Sequence, residues 1–304
     1  MDKRRQDEWV QRCVAEVMVP KLLHVAYPLH IIACYGAFFT EEFTPEAKFN
    51  GSVQPPRKRP VCAMIFEKCV GTLQQWLAFN EAFYHCKQLY IPMQLKWTVV
   101  YHIAAAVEVI QMRCGISHSD IKLNNFLVDA DGNVKLADFG CVCRLANSDK
   151  HAVLIPTGDL NKSKVRVWNR KFPHMTELTR TPRVTEHADQ HAMILCAVAV
   201  LYGSKSQIVQ VAKARRTIVA SSHHNRDPCE REVNKYFRGF LHLALSVISA
   251  EKQKILNMDK FLYQCRKAVV GAGGAGGGDD GNLVPPPLAA RGIPVEGWKV
   301  ALDF

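Results

Sequence analysis

The side chains best able to do chemistry cluster in the run His118-Ser119-Asp120-Ile121-Lys122-Leu123-Asn124-Asn125, with Asp138-Phe139-Gly140 shortly after it. A carboxylate, an ammonium and an amide on one loop, with a second carboxylate close behind, suit the transfer of a phosphoryl group. That reaction needs little covalent help. It needs the substrate hydroxyl positioned, the charge on the moving group offset, and a metal ion held among the phosphates. Asp120 can accept or orient the hydroxyl, and Lys122 can offset the charge. Asn125 and Asp138 supply the oxygen ligands that Mg²⁺ prefers. Two apolar triplets, Phe126-Leu127-Val128 and Val134-Lys135-Leu136, bracket the turn Asp129-Ala130-Asp131-Gly132-Asn133. This pattern predicts a hairpin that returns Asp138 alongside the loop.

These motifs resemble those of the protein kinase superfamily, whose catalytic loop reads H-R-D-L-K-x-x-N and whose metal motif reads D-F-G. The resemblance covers residues 8–145 well and is thinner to residue 268. It implies ATP and Mg²⁺ as cofactors and protein substrates as partners. It makes Asp120, Lys122 and Asn125 catalytic, and Asn125 and Asp138 the metal ligands. Upstream, Met64-Ile65-Phe66-Glu67-Lys68-Cys69 followed by Gly71-Thr72-Leu73 is similar to a kinase hinge. On that match Phe66 is the gatekeeper, the backbones of Glu67 and Cys69 contact adenine, and Leu127 packs beneath the ring. Glu16 matches the helix glutamate that pairs with a phosphate-binding lysine. His118 and Phe139 are packing residues. Lys122 favours a Ser/Thr protein substrate, because tyrosine kinases usually carry Ala there and small-molecule kinases usually lack the Lys.

The chain departs from the family pattern in three places. No Gly-rich loop or strand lysine is recognisable, so the sequence reads as starting at the regulatory helix, either with a shortened N-terminal lobe or as an incomplete product of a gene that begins earlier. Charge-assisted contacts of that kind are worth ~1.5–3 kcal/mol each, so their loss would cost ATP affinity or turnover. Ser119 stands where most kinases have the Arg that reads an activation-segment phosphate. The Ala-Pro-Glu motif is lacking; its nearest counterpart is Thr181-Pro182-Arg183, with Thr176 upstream. Asp189 resembles the Asp that braces the catalytic loop, although Ile194 replaces the usual Gly after it. Such changes resemble divergent virus-encoded kinases of the herpesvirus type. Two readings follow: an ATP-dependent Ser/Thr protein kinase, or a pseudokinase kept as a protein-binding scaffold.

The elements that must position these residues can be read from periodicity. Apolar side chains three and four apart predict a helix over 7–24, ended or kinked at Pro20. A strand is expected over 31–39, a long polar loop over 40–60 with four prolines, and a buried strand over 61–66. Helices follow over 73–83 and 95–113, the latter closed by Gly115. Residues 144–188 read as an extended surface segment, with helices beyond at 189–202, 206–219, 230–249 and 251–268. Gly271–Gly281 and Pro285–Pro287 cannot build a core and read as a flexible tail. The expected fold is α+β and protein-kinase-like: a partial N-lobe over 1–69, a mainly helical C-lobe over 70–268, and the tail over 269–304.

Composition narrows the remaining choices. The chain has 304 residues, 48% of them hydrophobic, a formal charge of +11 and 11 cysteines without a Cys-x-x-Cys pair. Scattered thiols argue for a reducing compartment rather than a disulfide framework. No apolar run approaches the ~20 residues of a membrane span. A cytoplasmic or nuclear setting is expected. Between Asp159 and Arg183 the residues Lys162, Lys164, Arg166, Arg170, Lys171, Arg180 and Arg183 face Glu177 alone. This predicts a preference for acidic or phosphorylated substrates. No recognised module or aromatic interleaving supports nucleic-acid binding.

Overall fold

The computed structural model describes residues 3–44, 47–49, 52–54, 57–87, 91–145, 186–203 and 256–271. Its first element, α1 (Lys3–Ala26), continues through Pro20 for six further residues. Proline removes one helical hydrogen bond, to the carbonyl of Glu16, at a cost of about 3 kcal/mol. Burial of Ala15, Val19 and Leu23 around it offsets that cost. His24, in the last turn, closes the end by contacting the Ile31 carbonyl through Nδ1 at 2.8 Å.

The expected loop over 40–60 is instead a β-ribbon. Strand β1 (Cys34–Thr44) pairs antiparallel with β4 (Arg57–Phe66), in register from Gly36 opposite Ile65 to Thr44 opposite Arg57, with a bulge between Gly36 and Cys34, the latter opposite Phe66. Between them β2 (Ala47–Phe49) pairs with β3 (Ser52–Gln54). The prolines that suggested a loop fall between strands at 45, 55 and 56. Pro60 lies within β4, opposite Glu41, and β4 has only β1 as a neighbour among the described residues, the edge position in which strands tolerate proline. Helix α1 lies across this ribbon, with the Trp9 and Phe39 rings edge to face at 5.8 Å.

After the ribbon, β5 (Gly71–Thr72) leads into α2 (Leu73–Cys86). Thr72 and Gln75 form a reciprocal cap, Gln75 N–H to Thr72 Oγ1 at 3.2 Å and Thr72 N–H to Gln75 Oε1 at 2.9 Å. Helix α3 (Met93–Glu108) is buried at every position from Leu95 to Glu108, so it forms the centre of the helical part rather than a surface helix. It widens over Val109–Arg113 and ends at Gly115, whose φ of 68° suits glycine. Around it pack α4 (Glu186–Tyr202) and α5 (Met258–Gly271). Lys96 Nζ donates to the Leu201 carbonyl at 2.7 Å, which fastens α3 to α4.

Short strands surround the chemistry. β6 (Ile116–Ser117) pairs with β9 (Cys143–Arg144), and β7 (Phe126–Val128) lies between β5 and β8 (Val134–Leu136). The β7–β8 hairpin is the one read from the sequence. It is stitched to the segment after α1 by Leu136 N–H to His30 O at 2.8 Å and Ile32 N–H to Leu136 O at 3.1 Å. The fold is therefore α+β, as expected, with helices dominating after residue 72. Helices expected over 206–219 and 230–249 lie outside the described residues, as do residues 146–185 of the extended segment expected over 144–188 and residues 272–304 of the tail expected over 269–304. Residues 186–188 and 269–271 of these two segments belong instead to the first turn of α4 from Glu186 and the last turn of α5 to Gly271. Among the described residues no helix is long and apolar enough to cross a membrane, and no disulfide joins two cysteines.

Candidate active site

The loop carrying Asp120 is held from below by one carboxylate. Asp189, fully buried on α4, accepts from His118 N–H at 2.7 Å and from Ser117 Oγ at 2.9 Å through Oδ2. Its Oδ1 accepts from Ser119 N–H at 2.9 Å. Gln111 Nε2 adds a longer contact to Oδ2 at 3.4 Å. These bonds hold Ser119 at a φ of 64°, a left-handed conformation that L-residues rarely adopt. Asp189 thus braces the loop, as the resemblance implied. Burial pushes its carboxyl pKa up, against the pull of His118 and of the donors around it.

His118 is packed in the core. Burial drives its pKa down, its Nε2 meets the Ala137 carbonyl at 3.0 Å, and its ring lies edge-on to Phe139 at 5.1 Å. A neutral ring with its proton on Nε2 satisfies that contact.

Beyond the brace, Asp120, Lys122 and Asn125 converge. Lys122 Nζ lies 2.5 Å from Asp120 Oδ2. Asn125 Nδ2 donates to the Asp120 carbonyl at 2.9 Å and to its Oδ2 at 3.0 Å. With its N–H groups committed to Asp120, Asn125 keeps its side-chain oxygen as a ligand atom. Its backbone oxygen accepts from Ala137 N–H at 2.8 Å, which ties the loop to the residue before Asp138. Asp138 takes φ 64° and ψ 65°, and Phe139 beside it is fully buried.

The charges of Asp120, Asp138, Lys122 and Arg12 all act on the thiol of Cys141. Burial foremost, and then the two aspartates, raise its pKa. Glu16, half-buried on α1, lies against the same turn. A β-carbon on Gly140 would sit 3.3 Å from Glu16 Oε2 and 3.7 Å from Asp138 Oδ1. Burial, and next the charge of Asp138, raise the Glu16 pKa.

Of the residues matched to adenine contacts, Phe66 ends β4, Glu67 and Cys69 follow it, and Leu127 lies on β7. Phe66, Cys69 and Leu127 are partly buried and pack on the main core. Burial raises the Cys69 thiol to about 11. The Glu67 side chain is used structurally: Oε1 accepts from Ala33 N–H at 2.8 Å and Oε2 pairs with Lys135 Nζ at 2.7 Å. Lys135 also meets Asp129 Oδ2 at 3.0 Å, while Asp129 Oδ1 caps the hairpin turn through Asn133 N–H at 2.8 Å. The two carboxylates raise the Lys135 pKa above that of an ordinary lysine, even though burial acts against them. The triad is not legible in the sequence, because Glu67 lies 68 positions from Lys135 along the chain. The one hint was a lysine between two apolar strand residues. Thr176, Thr181-Pro182-Arg183 and the basic run over 159–183 lie outside the described residues.

The family model described as "Protein kinase domain" matches residues 1–246. The chain is 27% identical over 152 residues to the dual specificity mitogen-activated protein kinase kinase jkk-1 of Caenorhabditis elegans, covering 50% of this chain and 29% of that protein. It is 40% identical over 47 residues to the serine/threonine-protein kinase CHK1 of Saccharomyces cerevisiae, covering 16% and 9%. To the serine/threonine-protein kinase ste20 of Aspergillus oryzae it is 27% identical over 133 residues, covering 44% and 14%. The chain thus spans less than a third of the length of each of these relatives.

Proposed function

Because the chain belongs to the protein kinase domain family, we propose that it phosphorylates Ser and Thr hydroxyls of protein substrates at the expense of ATP. The observation that carries this reading is the convergence of Asp120, Lys122 and Asn125 on one loop, braced by Asp189. Asp120 orients the substrate hydroxyl and takes its proton. Lys122, already paired with Asp120, is placed to offset charge on the phosphoryl group in transit. Asn125 and Asp138 would hold Mg²⁺. The donor set fits that ion: one carboxylate and one amide oxygen leave room for phosphate oxygens and water, as Mg²⁺ prefers. When bound, Mg²⁺ neutralises the phosphates and fixes their geometry. Phe66, Cys69 and Leu127 would enclose adenine, with the Glu67 and Cys69 backbones as its polar contacts. Lys122 favours Ser/Thr specificity, and the basic run over 159–183 favours acidic substrates.

The test is transfer of labelled phosphate from ATP to a panel of acidic and basic protein substrates, with phosphoamino-acid analysis. Wild type labels Ser and Thr, acidic substrates best. Asp120→Asn loses roughly 10²–10⁴-fold in kcat while retaining nucleotide binding. Equal labelling by Asp120→Asn would refute the assignment. The second reading is a kinase fold used as a protein-binding scaffold. It is favoured by one observation: among the described residues no lysine or arginine forms an ion pair with Glu16. Failure of transfer on every substrate, with the fold intact, would favour that reading.

A further inference from the structure

We propose that Glu16 is a further oxygen ligand of the cation held by Asp138 and Asn125, an inference that rests on the metal-binding role proposed for those two residues. The resemblance gave Glu16 a different duty, an ion pair with a lysine. Among the described residues no such cation stands beside it. Glu16 instead faces Asp138, the two carboxylates flanking the same backbone point at Gly140.

Two neighbouring carboxylates, one of which forms no ion pair with a described lysine or arginine, repel one another in a partly desolvated site. A divalent ion removes that repulsion and draws on both. Mg²⁺ is commonly bound by one or two carboxylates together with phosphate oxygens and water. Glu16 and Asp138 would supply the carboxylates, and Asn125 the amide oxygen. Gly140 belongs to the arrangement. Any side chain there would press on Glu16 Oε2, since even a β-carbon would come within 3.3 Å of it. The absence of a side chain lets the glutamate approach the Asp138 turn. Helix α1 contacts the turn Phe139–Cys141 directly, so its position sets whether Glu16 reaches the ion. On this reading the helix contributes to metal binding itself.

The test is Mn²⁺ titration of the full chain without nucleotide, read by the electron paramagnetic resonance signal of free Mn²⁺ and by the metal-induced rise in Tm. Wild type binds Mn²⁺, and Mg²⁺ competes. Glu16→Gln, close to isosteric, weakens Mn²⁺ by roughly 10- to 100-fold. It raises the metal-free Tm, because one of two like charges is gone. Gly140→Ala keeps both carboxylates and also weakens Mn²⁺, by displacing Glu16. Unchanged Mn²⁺ affinity in Glu16→Gln, with binding lost in Asp138→Asn, overturns the inference and leaves the metal role of Asp138 standing. Unchanged affinity in Asp138→Asn, or no binding by wild type, overturns the underlying assignment and this inference with it.

Discussion

Replacing Asp189 by Ala tests how the catalytic loop is held. The substitution removes the acceptor for His118 N–H, Ser119 N–H and the Ser117 hydroxyl, at residues 0%, 2% and 0% exposed. Water cannot readily take over at such burial. Each orphaned backbone donor costs about 1–3 kcal/mol, so the two amides together lose about 2–6 kcal/mol. That is a large part of the ~5–15 kcal/mol that keeps a domain folded. The left-handed Ser119, strained by roughly 1–2 kcal/mol, relaxes once its amide is free. Asp120 then moves with it, and a misplacement of about 1 Å costs on the order of 10²-fold in rate. Asp189→Asn separates the contributions. Its single oxygen can satisfy His118 and Ser117 or Ser119, while its NH₂ confronts the remaining donor, so an intermediate loss is expected. Urea denaturation gives the stability, and hydrogen exchange at the His118 and Ser119 amides gives the local effect. A midpoint equal to wild type in Asp189→Ala, with both amides still protected, would refute the reasoning.

Further predictions concern the supporting structure. Lys135→Met leaves Glu67 and Asp129 as facing, largely buried carboxylates. It should cost about 3–5 kcal/mol in urea denaturation, and little loss would mean that the triad is solvated. Thr72→Ala removes the cap of α2 and should cost ~1 kcal/mol, measured as a shift in Tm. The pH dependence of metal-free stability should carry the mark of Glu16. Its folded pKa is raised, so its favourable contribution is present below the ordinary carboxylate range and is lost as pH rises through the folded pKa. Glu16→Gln should therefore gain on wild type from acid toward neutral pH. Parallel stability curves for the two proteins would show that the carboxylate is well solvated.

What could be read in the chain before folding was local. The β7–β8 hairpin follows from a turn of Asp, Gly and Asn between apolar triplets. The spacing of Asp120, Lys122 and Asn125 already confines their side chains to one loop, and the apolar stripe of α3 announces a buried helix. Where the outcome depends on a partner distant in sequence, composition misled. Four prolines suggested a loop over 40–60, yet three fall between strands and the fourth lies in a strand with a single described neighbour. Pro20 suggested the end of α1 or a kink in it; burial of Val19 and Leu23 carries the helix on to Ala26. Glu67 matched a hinge position whose backbone contacts a nucleotide; packing assigned its side chain to Lys135 on β8. The left-handed turn at Ser119 exists because Asp189 arrives from α4, 70 positions away. Hydrogen bonds and burial act through space, so only tertiary packing could decide which carboxylate braces the loop, which pairs with a lysine, and which is left facing Asp138.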